Sequence, residues 1–159
     1  GLRAGQSLLI VYGPGAEDGI VDRVAIEAIE VGCQRGAQIA FHQKDTTSLK
    51  NFFTIDAGLV SIQNSLSGVR TKEESVADFI KAIGAIPADL SFEERLLDFK
   101  VVDASGMTLV FTPYEFYVNG SFSHCGTNVF TLIKKDSQWK ILALYDTRNK
   151  SCEFSNQTN

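Results

Sequence analysis

Histidine and cysteine are scarce in this chain of 159 residues, which contains 2 His and 3 Cys. Cys33, Cys125 and Cys152 are widely spaced and form no CxxC pair, and His42 and His124 stand in different halves of the chain. This spacing argues against a structural zinc site and against a framework of several disulfides. We therefore expect neither a metal nor a cofactor, although one cysteine pair is free to bridge if the protein is exported.

Long apolar runs and an excess of basic residues are also missing. The apolar run 8–12 near the start is much shorter than the ~20 residues that span a bilayer, and it is too short for a signal-peptide core. The chain has 19 acidic and 15 basic residues, a net charge of −4, and its only local basic cluster is Lys134-Lys135 beside a turn. Proteins that bind nucleic acid usually carry a basic stripe. We therefore expect a soluble protein with no nucleic-acid or membrane partner, in a compartment that the sequence leaves open.

Phenylalanine is abundant, with 11 Phe against 4 Tyr, 1 Trp and 1 Met. So many rigid apolar rings in a chain of this length indicate either a dense dry core or a core packed around a small organic ligand. The length itself is typical of one domain. We predict an N-terminal arm at residues 1–15, one domain at 16–152 and a C-terminal tail at 153–159.

The first half of the chain shows mostly helical periodicity. Apolar residues recur at helical spacing from Asp18 to His42, and the run 45–48 supplies N-cap residues for a short second helix that includes Phe52 and Phe53. Residues 59–63 alternate as a strand. Thr71 with Glu74 three residues later has the pattern of a capping box, so a further helix is expected from there to residue 84.

After residue 90 the apolar period changes to two, which predicts strands at about 91–102, 107–118, 121–134 and 138–148. Asn119-Gly120 is typical of a two-residue type I′ hairpin turn, and Asp136-Ser137 is a weaker second turn. Continued without a bulge, the first turn places Tyr117 opposite Phe122, and Glu115 opposite His124. The second turn places Phe130 opposite Ala143, and Asn128 opposite Tyr145.

This register divides the sheet into two faces, since directly opposed residues share a face. We assign to the interior the face with the larger aromatic and aliphatic volume, which carries Leu109, Phe111, Glu115, Tyr117, Phe122, His124, Asn128, Phe130, Leu132, Trp139, Ile141 and Tyr145. The opposite face is rich in threonine, includes Asp146 and Arg148, and suits contact with a second subunit. A slip of one residue exchanges the two faces.

The order of elements and several local strings resemble the NTF2-like superfamily, and within it the branch labelled SnoaL-like or lumazine-binding. The strings are Phe92-Glu-Glu-Arg95, Pro113–Gly120, Phe122–Gly126, Phe130-Thr-Leu132 and Trp139–Leu142 continuing to Asp146-Thr-Arg148. The resemblance covers about residues 20–152. It implies an α+β cone in which N-terminal helices pack on a curved antiparallel β-sheet, but no single activity, because the superfamily contains enzymes, binding modules and transport factors.

His124 and Glu115 are the candidate catalytic residues, because a carboxylate opposite an imidazole can orient one tautomer and raise the His pKa. The alternative is a cross-strand polar pair at the hairpin. Asn128 and Tyr145 are candidate hydrogen-bond donors to a carbonyl or enolate oxygen. Ligand-binding positions are predicted at Asn128, Tyr145, Tyr117, Phe111, Phe130 and Trp139.

Three functions fit this sequence. The favoured one is a domain that binds a small organic molecule and forms a homodimer through the open sheet face. The second is a cofactor-independent lyase or isomerase that uses His124 and Glu115 for proton transfer. The third is a protein-interaction module that uses the cone as a scaffold. Whether the chain is an enzyme stays open at this point.

Overall fold

The structure, a computed structural model, describes residues 33–152. Within this range the helices are α1 (Cys33–His42), α2 (Thr46–Asn51) and α3 (Val76–Gly84). The strands are β1 (Phe53–Ser65), β2 (Gly68–Ser75), β3 (Phe92–Leu96), β4 (Lys100–Asp103), β5 (Met107–Val118), β6 (Ser121–Lys135) and β7 (Gln138–Arg148). The predicted arm, the first part of the predicted long helix and the predicted tail lie outside the described residues. None of the helices between residues 33 and 152 is long and apolar enough to cross a membrane.

The seven strands form one curved sheet in the order β2-β1-β7-β6-β5-β3, and β4 also pairs with β5. Strand β1 runs parallel to β7, and all other pairs are antiparallel. The helices pack against one face of this sheet, where the buried apolar cluster lies. The predicted α+β class is therefore confirmed, and the four predicted strands after residue 90 match β3 with β4, β5, β6 and β7.

The region between residues 53 and 84 differs from the prediction. The short strand expected at 59–63 is part of the longer β1, and β2 pairs with it as a hairpin. The helix expected from Thr71 begins instead at Val76, with Ser75 as N-cap: the Ser75 Oγ accepts a hydrogen bond of 3.0 Å from the Asp78 N–H. Thr71 and Glu74 lie on β2, paired with Ile62 and Leu59 of β1, so no capping box forms there.

Both hairpin turns of the second half occur where the sequence predicts them. Asn119 and Gly120 have φ values of 48° and 77°, and Asp136 and Ser137 have 51° and 63°. Positive φ at both central residues is what a type I′ turn requires. In the short second helix, the predicted N-cap run is confirmed, since the Asp45 carboxylate accepts a hydrogen bond from the Ser48 N–H. Its predicted end is wrong, because the helix stops at Asn51 and Phe53 begins β1.

The predicted register is correct beside each turn and wrong farther away, because a bulge interrupts each hairpin. Tyr117 lies opposite Phe122 as expected, but after the bulge Phe116, and not Glu115, lies opposite His124. The second irregularity follows the pair of Leu132 with Ile141. Beyond it, Phe130 pairs with Leu144 where Ala143 was predicted, and Asn128 pairs with Asp146 where Tyr145 was predicted.

Because side chains alternate with a period of two, each bulge moves part of a neighbouring strand to the other face. On β5 the interior residues are Val110, Thr112 and Tyr114, which are almost completely buried. Leu109, Phe111, Glu115, Tyr117, Phe122 and Tyr145 were predicted in the interior and instead lie on the outer face of the sheet. The interior assignment is correct for His124, Asn128, Phe130, Leu132, Trp139 and Ile141.

Candidate functional site

A cavity of about 620 Å³ lies between the helices and the interior face of the sheet. Helix α1 contributes Ala37 and Phe41, and α3 contributes Phe79, Ala82 and Ile83. Six of the apolar residues that line the cavity are phenylalanines: Phe41, Phe53, Phe79, Phe92, Phe116 and Phe130. Much of the abundant phenylalanine is therefore arranged around a space, and not only packed into a dry core.

The carboxyl of Glu94 belongs to the cavity wall and is the most perturbed acid among the described residues. The Asn128 side-chain amide donates a hydrogen bond of 3.1 Å to Glu94 Oε1. Burial raises the pKa of Glu94 to about 7, although the hydrogen bond from Asn128 acts in the opposite direction. Near neutral pH this carboxyl is therefore divided between its acid and base forms.

Helix α1 fixes the backbone of Glu94 from the other side. The Glu94 N–H donates a hydrogen bond of 2.8 Å to His42 Nε2, and the Gln38 side-chain amide donates one of 3.3 Å to the Glu94 carbonyl. Burial lowers the pKa of His42, which agrees with an unprotonated Nε2 that accepts a hydrogen bond. His42 thus connects the C-terminus of α1 to β3 and holds Glu94 in position.

Asp146 and Arg148 also line the cavity, on the face opposite to the one that the sequence predicted for them. Asp146 accepts two hydrogen bonds of 2.5 Å, from the Ser61 hydroxyl and from Arg148 Nε. Nearby, the Tyr114 hydroxyl donates a hydrogen bond of 2.9 Å to the Thr147 carbonyl, and burial raises the pKa of that tyrosine. These contacts form an ordered polar wall next to the phenylalanines.

His124 lines the cavity, but its predicted partner is absent from that face. The His124 ring stacks on Phe116, with centroids 4.8 Å apart, and its Nδ1 lies 3.1 Å from the Ser123 hydroxyl oxygen. Burial lowers the pKa of His124, and the cations of Arg148 and Lys150 lower it further. The histidine is therefore neutral at pH 7, where the sequence had predicted a raised pKa.

Glu115 points to the outer face, opposite Cys125, and accepts a hydrogen bond of 2.9 Å from the Tyr117 hydroxyl. The predicted pair of Glu115 with His124 therefore does not form, because the bulge separates the two side chains onto different faces. Among the predicted ligand-binding residues, Asn128 and Phe130 line the cavity. Tyr117, Phe111 and Tyr145 lie on the outer face, and Trp139 is part of the apolar core outside the cavity wall.

Sequence reasoning missed Glu94, although the signal was present. Residues 92–96 alternate as a strand, so the inward Phe92 predicts that Glu94 points inward as well. An acidic residue at an inward position of an alternating strand indicates a functional carboxyl. The wrong strand register explains why three other cavity residues were assigned to the outer face: Tyr114, Asp146 and Arg148.

The cysteines have structural roles in this arrangement. Cys125 and Cys152 form a disulfide, with Cα atoms 6.1 Å apart, so Cys125 is not a free nucleophile. Cys33 is free and buried, and burial raises the pKa of its thiol to about 12. Among residues 33–152, no three His, Cys, Asp or Glu side chains are grouped so that they could hold a metal ion.

No protein-family model matches the chain, and no curated protein matches it in sequence. Solved structures do match. An NTF2-like protein from Cytophaga hutchinsonii superposes with a TM-score of 0.62 at 14% identity, covering 77% of this chain and 98% of the other. An NTF2-like protein of unknown function from Shewanella baltica superposes with a TM-score of 0.56 at 10% identity, covering 85% and 100%.

A protein of unknown function with a cystatin-like fold from Nostoc punctiforme gives a TM-score of 0.59 at 9% identity, covering 87% of this chain and 99% of the other. Similarity at such low identity establishes the fold and leaves the activity open. The chain therefore has the NTF2/SnoaL-like fold that the strings of its sequence resemble.

Proposed function

We propose that this protein binds a small organic molecule in the cavity between its helices and its sheet. The observation that carries the proposal is the cavity itself: about 620 Å³, walled by six phenylalanines and equipped with the hydrogen-bonded pair of Glu94 and Asn128. Sites for small molecules are commonly apolar clefts of roughly 300–1,000 Å³ with a few convergent polar groups. The aromatic wall would take a ring system, and Glu94 with Asn128 would take a polar substituent.

Native mass spectrometry of the purified chain tests this proposal through any ligand that copurifies. A panel of aromatic and polyketide-like compounds extends the test by titration. Ala82→Trp provides the variant, because Ala82 is exposed yet lines the cavity, so the indole fills the space without disrupting the core. Ala77→Trp is the matched control, since Ala77 is exposed on the same helix and does not line the cavity. Binding that survives Ala82→Trp unchanged would overturn the proposal.

A second candidate function is cofactor-independent proton transfer, as in a lyase or isomerase, with Glu94 in the role first predicted for Glu115. The observation that favours it is the pKa of about 7 on a carboxyl at the cavity wall. A general acid or base works best when its pKa lies near the working pH. His124, neutral and 4.8 Å from Phe116 between ring centroids, lines the same cavity and is a candidate second proton carrier.

Glu94→Gln separates binding from proton transfer. The amide keeps the size of the acid and can still accept the hydrogen bond from Asn128, but it neither gains nor loses a proton at neutral pH. On any compound that the wild type converts, the variant is expected to bind within a few-fold and to lose turnover by about 100-fold or more. Unchanged turnover in Glu94→Gln would exclude this carboxyl as the acid or base.

For the quaternary structure, we propose a homodimer formed through the outer face of the sheet. This face presents Phe122 and Tyr145, which are 47% and 45% exposed, together with Leu142 at 38%. Large apolar side chains left exposed on one face of a sheet can mark a contact surface. Sedimentation at micromolar concentration tests the dimer, and a species of only 17.4 kDa would contradict it.

A further inference from the structure

Two exposed arginines flank one exposed glutamine on three neighbouring strands. Gln63 on β1 pairs directly with Arg70 on β2 and with Arg148 on β7. All three line the cavity. Neighbouring strands lie about 4.8 Å apart, so the two arginine-bearing strands are separated by about 10 Å, a gap that two arginine side chains can close. We name Arg70, Gln63 and Arg148 the arginine row.

The hydrogen-bonding capacity of this row is mostly unused. Arg148 donates through Nε to Asp146, which also accepts from Ser61. The terminal amino groups of Arg148 and the whole guanidinium of Arg70 have no hydrogen-bond partner among residues 33–152, and neither does the Gln63 amide. Each guanidinium offers N–H donors in a planar fork that matches an oxyanion such as a carboxylate.

Of the described cations that line the cavity, one has no opposite charge paired with it. Lys72 pairs with Glu74 at 3.3 Å, and Arg148 pairs with Asp146 at 2.5 Å, whereas Arg70 has no acidic partner among the described residues. The remaining acid of the cavity is Glu94, which is partly protonated at neutral pH.

The neighbourhood of the row is positive even though the chain as a whole has a net charge of −4. The cations of Arg148 and Lys150 both act to lower the pKa of His124, which lines the same cavity. The Asp146 carboxylate acts on His124 in the opposite direction, and its effect is smaller than that of either cation. A negative group entering there would be attracted, and a positive one repelled.

We propose that the ligand of this cavity is a monoanion, an apolar ring system with one carboxylate, whose rings lie among the phenylalanines and whose carboxylate binds the arginine row. The inference rests on the proposed function, because it needs an occupied cavity. A monoanion fits Arg70, the one cation among the described residues lining the cavity that pairs with no carboxylate. A dianion such as a phosphate ester brings a second negative charge close to Asp146 and Glu74 and is therefore disfavoured.

Three probes of nearly the same ring shape test the proposal by calorimetric titration of the full chain: 2-naphthoate, 2-naphthamide and 2-naphthyl phosphate. Hydrogen bonds between charged groups are stronger than neutral ones, so naphthoate should bind at least about 10-fold more tightly than naphthamide. Naphthoate should also bind more tightly than naphthyl phosphate. Raising the salt concentration should weaken the binding of naphthoate and leave the binding of naphthamide unchanged.

Arg70→Gln is the variant of choice, because Arg70 is exposed and holds no other residue in place. This variant should bind naphthoate about 10-fold more weakly than the wild type does, and its affinity for naphthamide should change by less than twofold. Lys100→Gln is the matched control, an exposed cation on β4 outside the cavity, and should change neither affinity. Circular dichroism checks that both variants are folded.

The outcomes separate this inference from the proposed function. Equal affinities for naphthoate and naphthamide, both lost in Ala82→Trp, would overturn the carboxylate inference and keep the cavity as a binding site. Tighter binding of naphthyl phosphate than of naphthoate would overturn the inference that the ligand carries a single negative charge. No binding of any of the three ring compounds to the wild type at millimolar concentration would overturn both proposals.

Discussion

The side-chain amide of Asn128 on β6 donates a hydrogen bond of 3.1 Å to the carboxyl of Glu94 on β3, across the intervening strand β5. The two effects on this carboxyl are opposed. Burial raises its pKa, the amide lowers it, and burial wins, so that the pKa is about 7. A single acid thus becomes sensitive to pH in the range where proteins normally work.

The first prediction concerns the pH dependence of stability. Because the folded pKa of Glu94 lies above its ordinary value of 4.5, the folded state holds more protons than the unfolded state between about pH 4.5 and 7. Stability therefore falls as the pH rises through this window. Glu94→Gln cannot ionise, so the free energy of unfolding of the variant relative to the wild type should increase by about 3 kcal/mol between pH 4 and pH 8. Urea denaturation at a series of pH values measures this difference.

Glu93→Gln is the matched control, one position away on the same strand. Glu93 is exposed, and its hydrogen bond to Arg95 lowers its pKa, so its stabilising effect is present above its ordinary pKa and is lost at low pH. This variant should therefore gain no stability as the pH rises from 4 to 8. A flat difference between Glu94→Gln and the wild type would show that the Glu94 carboxyl is well solvated.

The second prediction concerns the amide donor. Asn128→Leu removes the hydrogen bond that favours the ionised carboxylate, and the pKa of Glu94 should rise beyond about 7. The readout is the carboxyl carbon shift of Glu94 followed by NMR across the pH range. Thr112→Val is the control, because Thr112 lies opposite Asn128 and its hydroxyl has no hydrogen-bond partner among residues 33–152. A midpoint in Asn128→Leu equal to that of the wild type would mean that the amide does not tune the acid.

Features of the sheet that depend on neighbouring residues in the chain could be predicted, and features that depend on distant residues could not. A turn is a local property, so Asn119-Gly120 and the pair of Tyr117 with Phe122 were predicted correctly. A bulge depends on what the strand meets elsewhere. Contacts of this distant kind occur on β6 away from the bulges: Gly126 lies against the backbone carbonyl of Thr147 on β7, which the β5–β6 sequence alone does not contain.

The residues of the candidate site were predicted correctly or wrongly for the same reason. The interior face was chosen by its larger apolar volume, and this choice was correct for His124, Asn128 and Phe130 of β6, which line the cavity. The residues of β5 and the end of β7 were assigned only by pairing with β6. Because each hairpin contains one bulge, Tyr114 and Phe116 lie in the interior where Glu115 was predicted. In the same way, Asp146 lies in the interior where Tyr145 was predicted.

The third prediction concerns the disulfide of Cys125 and Cys152, which closes a loop of 27 residues. A crosslink over such a loop restricts the unfolded chain, and in the chain-entropy estimate it stabilises the fold by about 3–4 kcal/mol. Cys152→Ser should lower the free energy of unfolding by roughly this amount. Adding a reductant should bring the wild type to the stability of the variant and leave the variant unchanged. Equal stability of oxidised and reduced wild type would contradict this role.

The fourth prediction tests the close approach at Gly126, which lies opposite Tyr114. A Cβ at this position would overlap the carbonyl oxygen of Thr147, the same atom that accepts the hydrogen bond from the Tyr114 hydroxyl. Gly126→Ala must therefore push β7 away and lose that bond, at a cost of about 2–4 kcal/mol in stability.

Gly58→Ala is the matched control for this substitution. A Cβ at Gly58 on β1 meets no atom within 4 Å, so this variant should be neutral or slightly stabilising. Thermal denaturation of the two alanine variants beside the wild type makes the comparison. Because the Thr147 carbonyl sits between Asp146 and Arg148, Gly126→Ala should also weaken naphthoate more than naphthamide, if Arg148 contributes to the arginine row. Wild-type stability in Gly126→Ala would show that the backbones of β6 and β7 are not in close contact at this point.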